Sequence, residues 1–272
     1  MIALGHRRYF LLLMSGLIGS AWLTLWLWAE SPYGRWLEHG QWTEIGFAAD
    51  LCRALPAGQW LLPALLYGGG WLLMSAAMML PTALPLLDVF DRLTTARADH
   101  GRLMTLVIVG YLSIWGAFGL LAHGLDHVLH AITAENSWLM INGWVVGAAV
   151  LGIAGAFQFS ALKYHCLDKC RTPLSFVMEH WRGYAEHWHA LALGLRHGAF
   201  CVGCCWAIML IMFVVGTGSV GCMLVLGAVM AIEKNLPWGR KLSPWLGAGL
   251  LGSAAMTVAI HVPSITSLSE LH

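Results

Sequence analysis

LMTLVIVGYLSIWGAFGLL, Leu103 to Leu121, is an unbroken run of residues without one charge. As an α-helix it reaches about 28 Å, close to the thickness of a bilayer's hydrocarbon core, and a helix satisfies every backbone group within itself. Six further runs flank it: Tyr9 to Ala29, Gln59 to Leu87, Trp138 to Leu162, Phe200 to Gly216, Val220 to Ile232 and Trp245 to Ile260. The expected fold is therefore all-α, a polytopic membrane helical bundle of about seven transmembrane helices forming a single membrane domain, residues 1–272.

Composition agrees. With 58% hydrophobic residues, 11% charged and 15 tryptophans in 272 residues, the chain is too apolar for a soluble fold. A net charge of +1 gives no case for nucleic acid as a partner. The Tyr9 to Ala29 run is too long for a signal-peptide core and is read as a retained first helix. Pro81 and Pro85 fall inside the second run, where a kink or an early end is expected because each lacks a backbone donor. The sixth run is short and its break from the fifth, residues 216–219, is tight, so the two are expected to form an antiparallel hairpin.

Thirteen of the 15 basic residues fall in alternate connections, with Arg35 and Arg53 opposite. By the positive-inside rule the N-terminus lies in the cytoplasm and the C-terminus outside. The connection from Lys163 to Arg196 is then cytoplasmic. Thr172-Pro173 reads there as a cap followed by proline at the first helical position. Residues 172–196 interleave apolar and polar side chains, as in an amphipathic interfacial helix on the cytoplasmic side or the lower part of an extended fifth helix.

Five of the seven cysteines sit on that side, as Cys166-x3-Cys170 and Cys201-x2-Cys204-Cys205. Residues at i, i+3 and i+4 share a helical face, so Cys201, Cys204 and Cys205 can aim three sulfurs together, with Cys166 and Cys170 as a second pair. Cytosolic thiols stay reduced, which favours ligands over structural disulfides. His197 lies four residues before Cys201 on the same stripe, while Cys52 and Cys222 stand apart as small buried hydrophobes.

On the opposite side His123, Asp126, His127 and His130 recur at i, i+3, i+4 and i+7. Imidazole and carboxylate at this spacing bind zinc, copper or iron; the alternative is a solvated helix end anchored at the interface. Met74 and Met78, with Met79, Met209, Met212, Met223 and Met230, give a sulfur-rich interior that can relay a soft cation or be ordinary core. Gly68 to Gly70 suit a close helix approach.

Four blocks together carry a resemblance: Trp71-x2-Met74-x2-Ala77-Met78-Met79-x-Pro81, Lys163-x2-Cys166-Leu167-x2-Cys170-Arg171-x-Pro173-Leu174, Gly198-x2-Cys201-x-Gly203-Cys204-Cys205-Trp206-x2-Met209, and Met230-x2-Glu233-Lys234. They resemble the predicted metal-binding integral membrane protein family, domain of unknown function 2182. The likeness runs from about Gln59 to Ile260 and marks a family-like core, residues 59–262. It implies a multi-pass protein of the bacterial inner membrane with a metal site. The chain departs from the family pattern at residues 216–219, where members tend to carry methionine and asparagine, so no ligand role is carried to that turn.

The expected function is to bind, transfer or transport a soft transition metal, copper(I) before zinc. Its partners are the lipid bilayer and either another membrane protein or a second copy of the chain. Two alternatives stand beside it: an accessory or assembly subunit of a larger membrane metalloenzyme, and a thiol-disulfide oxidoreductase pairing Cys201 with Cys204. A haem protein ranks lower, since no histidine falls well inside the runs. No nucleophile elbow or phosphate-binding glycine loop appears, so no hydrolase or ATPase activity is expected and no catalytic residue is assigned.

Overall fold

Long apolar runs without internal charge have one stable form when water is scarce, a helix whose carbonyls and amides pair along its own axis. The computed structural model of the chain describes residues 2–30, 61–136, 138–139, 142–181, 186–215 and 220–269. Cys52, Arg35, Arg53, the 216–219 turn and the side chain of His130 lie outside the described residues. Among those described there are nine α-helices and no strands. They are α1 (Ile2–Ala29), α2 (Leu61–Thr94), α3 (His100–Glu135), α4 (Trp144–Phe157), α5 (Ala161–Arg171), α6 (Pro173–His180), α7 (Glu186–Val215), α8 (Val220–Asn235) and α9 (Leu242–Ser269), the last preceded by a 3-10 turn, Gly239–Lys241.

Five helices are long and apolar enough to cross a membrane, in α1, α2, α3, α7 and α9, and a sixth crossing results if α4 and α5 together make one span. Two of the seven runs therefore differ from expectation. The fourth breaks after Phe157 and bends by 64° into α5. Gln158 is fully buried and its amide turns back to Ala154 O at 3.0 Å, while the Ser160 hydroxyl accepts from Lys163 N at 3.1 Å and starts a new helix. The sixth run forms a helix of 16 residues, about 24 Å long, short of a full hydrocarbon core.

Neither proline ends α2, which runs on to Thr94. Pro81 cannot bond to Ala77 O, and the Trp22 indole N–H of α1 donates to that carbonyl at 3.1 Å. Pro85 frees Pro81 O, and the Asn235 amide at the end of α8 donates to it at 3.2 Å. Each proline thus opens an acceptor on which a neighbouring helix docks.

The register of contacts fixes relative directions. Gly194 lies against Val107 O and Gly198 against Tyr111 O, so α3 and α7 climb together as parallel neighbours. A Cβ at Gly194 would stand 2.1 Å from that carbonyl, hence glycine at the crossing. Gly68 and Gly69, by contrast, have nothing within 4 Å and mark no close approach. Gly227 meets Met78 and Asn235 meets Pro81, so α8 runs parallel to α2. Gly155 meets Leu251 while Gly247 meets Phe159, so α4 and α9 run antiparallel.

At one end the link between α2 and α3 meets the start of α7. Arg97, in the short link between α2 and α3, pairs with Asp99 at 3.0 Å and with Glu186 at the start of α7. Its hydrogen bond holds the Asp99 carboxyl below the usual carboxylate range. The 172–196 segment divides between two helices. In α6, Pro173 takes the first position, Thr172 bonds back to Asp168 O at 3.1 Å instead of capping, and Phe176 and Val177 are buried. From Glu186 onward the segment is the lower part of α7.

Candidate metal centre

Cys201, Cys204 and Cys205 lie on α7 within one turn and a half, and all are buried to 1% exposure or less. Cys166 and Cys170, also buried, are brought to them by α5, because Gly203 leaves room for Cys166 Sγ against α7. A Cβ at position 203 would stand 2.6 Å from that sulfur. Cys170 reaches Cys204, the Cys204 and Cys205 sulfurs are 3.4 Å apart, and Cys205 contacts Cys201. The described cysteines form no disulfide. The sulfurs make a chain, Cys170 to Cys204 to Cys205 to Cys201, and among the described residues no three His, Cys, Asp or Glu side chains converge around one point.

The Cys201 end of that chain carries the strongest partners. Lys234 Nζ donates to Cys201 Sγ at 2.9 Å and also reaches Thr82 Oγ1 at 3.3 Å. The Tyr111 hydroxyl lies 2.9 Å from the same sulfur and donates to Met79 O at 3.1 Å. His197 is 3% exposed, its ring stacked on Tyr111 at 5.7 Å, and its Nδ1 has no hydrogen-bond partner. An imidazole nitrogen buried without a partner, one turn before a cysteine, is available as a ligand. Because α7 begins at Glu186, this histidine lies well inside an apolar helix, contrary to the expectation that none does.

Next to this end is a buried polar network. Lys163 Nζ bonds both Glu233 carboxylate oxygens at 2.9 Å and also Gln158 Oε1, and Ser243 Oγ donates to Glu233 at 2.6 Å. All four residues are at most 1% exposed. Arg171 closes the end of α8 by donating to the carbonyls of Glu233 and of Pro237, the latter at 2.8 Å. Residues 233 and 234 thus place one charge on the Lys163 network and the next on the thiol chain.

The composition of this centre was only half visible in the sequence. Lys163 and Lys234, counted there among basic residues of exposed connections, are 0% and 5% exposed and packed inside. Tyr111, Thr82, Gln158, Ser243 and Glu233 drew no notice as site residues. One signal was available: Glu233-Lys234 ends an apolar helix, and Lys163 stands three residues before Cys166 on the same face. Ionisable groups that close to apolar spans mark functional sites by default.

The methionines, Met74 and Met78 included, together with Met79, Met209, Met212, Met223 and Met230, are 2% exposed or less and share one core with the five cysteines. The His123 stripe lies elsewhere, near the far end of α3. His123 and His127 meet edge to face at 5.1 Å, and Asp126 is half-buried on the same helix.

No curated protein and no solved structure matches the chain. The family model described as PpoB2, copper chaperone, matches residues 68–257, more than half of the chain, and that stretch holds every centre residue named above. The chain belongs to the PpoB2 copper chaperone family.

Proposed function

We propose that this protein is a multi-pass membrane copper chaperone that takes copper(I) into the buried thiol chain of α5 and α7 and passes it on. The observation that carries this reading is the run of touching sulfurs from Cys170 to Cys201, flanked by the unpartnered His197 nitrogen. Soft thiolate ligands select copper(I), and neighbouring sulfurs let an ion move by exchanging one ligand at a time. The methionines continue that soft surface through the core, and membership of a copper chaperone family points to the same metal. Zinc is the second metal to test.

The further parts of the reading are seven spans with the N-terminus inside and the C-terminus outside, in a bacterial inner membrane. The parallel pairing of α3 with α7 and of α2 with α8 supports the alternation of the spans, since two odd-numbered or two even-numbered spans in an alternating chain share a direction. Handing copper on requires a receiver, and an accessory role beside a membrane metalloenzyme fits that need. A thiol-disulfide relay is supported less, because such a relay must expose a sulfur to its partner and all five here are buried.

The test is cuprous binding by the purified protein, measured by competition with a chromogenic copper(I) chelator. Copper binding is expected to fall when Cys201 or Cys205 is changed singly to serine. A redox pair instead predicts a mild Cys205→Ser and a Cys201 to Cys204 disulfide in trapped cells with no metal bound. That result would overturn the copper reading.

A further inference from the structure

Lys234 is a buried charge that the fold holds against a sulfur. Asn235, the next residue, is fixed to α2 through the carbonyl freed by Pro85, and Arg171 holds the carbonyl of Glu233 on the other side. The lysine therefore has little freedom to leave. Its ammonium group lies 2.9 Å from Cys201 and interacts electrostatically with Cys201, Cys204, Cys205 and Cys170. The neighbouring Lys163 and Glu233 neutralise each other. The Lys234 charge is left for the thiol chain.

We propose that Lys234 belongs to the metal site, where its charge balances a two-coordinate cuprous dithiolate on Cys201 and Cys205 and so selects a monovalent soft cation over a divalent one. This rests on the copper reading above and adds the residue that sets its selectivity. In the binding step two Cu–S bonds form, both thiol protons leave to solvent, and copper stays at +1 with no electron exchanged. The resulting complex has one negative charge, which Lys234 cancels. A divalent ion on the same two sulfurs makes a neutral complex, and Lys234 then remains as an uncompensated charge in a medium of low dielectric constant. Further sulfur ligands would relieve that, but the thiols lie in a chain and do not converge on one point.

The experiment measures copper(I) and cadmium(II) affinity for the full-length wild type, Lys234→Met and Lys234→Arg in detergent, by chelator competition. Lys234→Met is expected to weaken copper(I) by more than about tenfold, because a charge at contact distance is removed from a low-dielectric site. It is expected not to weaken cadmium(II), and Lys234→Arg should keep the wild-type preference. A general loosening of the fold would lower both metals together and would overturn the assignment, as would unchanged copper affinity in Lys234→Met. X-ray absorption of the copper-loaded wild type gives a reading independent of variant folding: two sulfur neighbours are expected, and three or four overturn the dithiolate. Failure of the wild type to bind copper(I) at all would instead sink the proposed function, and this inference with it.

Discussion

The thiol chain and the His123 stripe look alike in the sequence and differ in the fold. Both are four or five soft or borderline ligands at helical spacing. The thiol chain draws on five helices: sulfurs from α5 and α7, a hydroxyl from α3, a lysine from α8 and a threonine from α2. The stripe's ligand types all come from α3, and the 5.1 Å contact of His123 with His127 is what residues four apart on any helix make. Helical spacing proposes a site. Convergence of separate elements on it, with partners outside the ligands, is what distinguishes a built one.

The largest way to break that comparison is to remove the frame that carries the thiol end. Lys163→Met leaves the Glu233 carboxylate buried with no cation, and losing one partner of a buried pair costs about 3–5 kcal/mol. Chemical or thermal unfolding in detergent should show that loss, and the double change Lys163→Met with Glu233→Met should recover much of it. If the single variant is as stable as wild type, residues 158, 163, 233 and 243 do not frame the centre as described.

That network also shows where sequence reading ended. The helical class and most helix positions were legible because apolar runs leave the backbone one option. The cysteine face was legible because α7 is continuous through residues 201–205, so spacing translated into a shared surface. Two things were hidden. Lys163 and Lys234 read as loop charges because a lysine's sign is visible and its partner, 70 and 33 residues away respectively, is not. The break after Phe157 was hidden because only Gln158 and Ser160 mark it within a mostly apolar run, and the two side chains accompany a 64° bend in place of one long span. Pro81 and Pro85 suggested a kink or an early end to α2 for a sound reason, the lost donor. The side chains that take up the freed carbonyls belong to α1 and α8, beyond any local reading.

A smaller effect sharpens the comparison from the thiol side. Tyr111→Phe keeps every sulfur and removes one hydroxyl that bonds Cys201 and Met79 O. Partners just outside the ligands are worth about 10–100-fold in metal affinity, so copper(I) binding should weaken by about tenfold with folding retained. Chelator competition on the purified variant reads it directly. Unchanged affinity would mean that Cys201 is not a copper ligand, or that its orientation is set by Lys234 without the tyrosine.

The smallest effect belongs to the stripe. His127→Ala removes an exposed imidazole near the far end of α3, so folding should be nearly intact, within about 0.5 kcal/mol as for surface changes in general. If His123, Asp126 and His127 do hold a metal, the variant should lose bound zinc or copper(II) while keeping wild-type copper(I) affinity at the cysteines, since the cysteines lie on α5 and α7. Metal analysis after loading with each ion separates the outcomes. Unchanged content for every ion makes the stripe an anchored helix end, and the contrast with the thiol chain then becomes one of site against none. Loss of copper(I) affinity would link the two ends of α3 and overturn their separation.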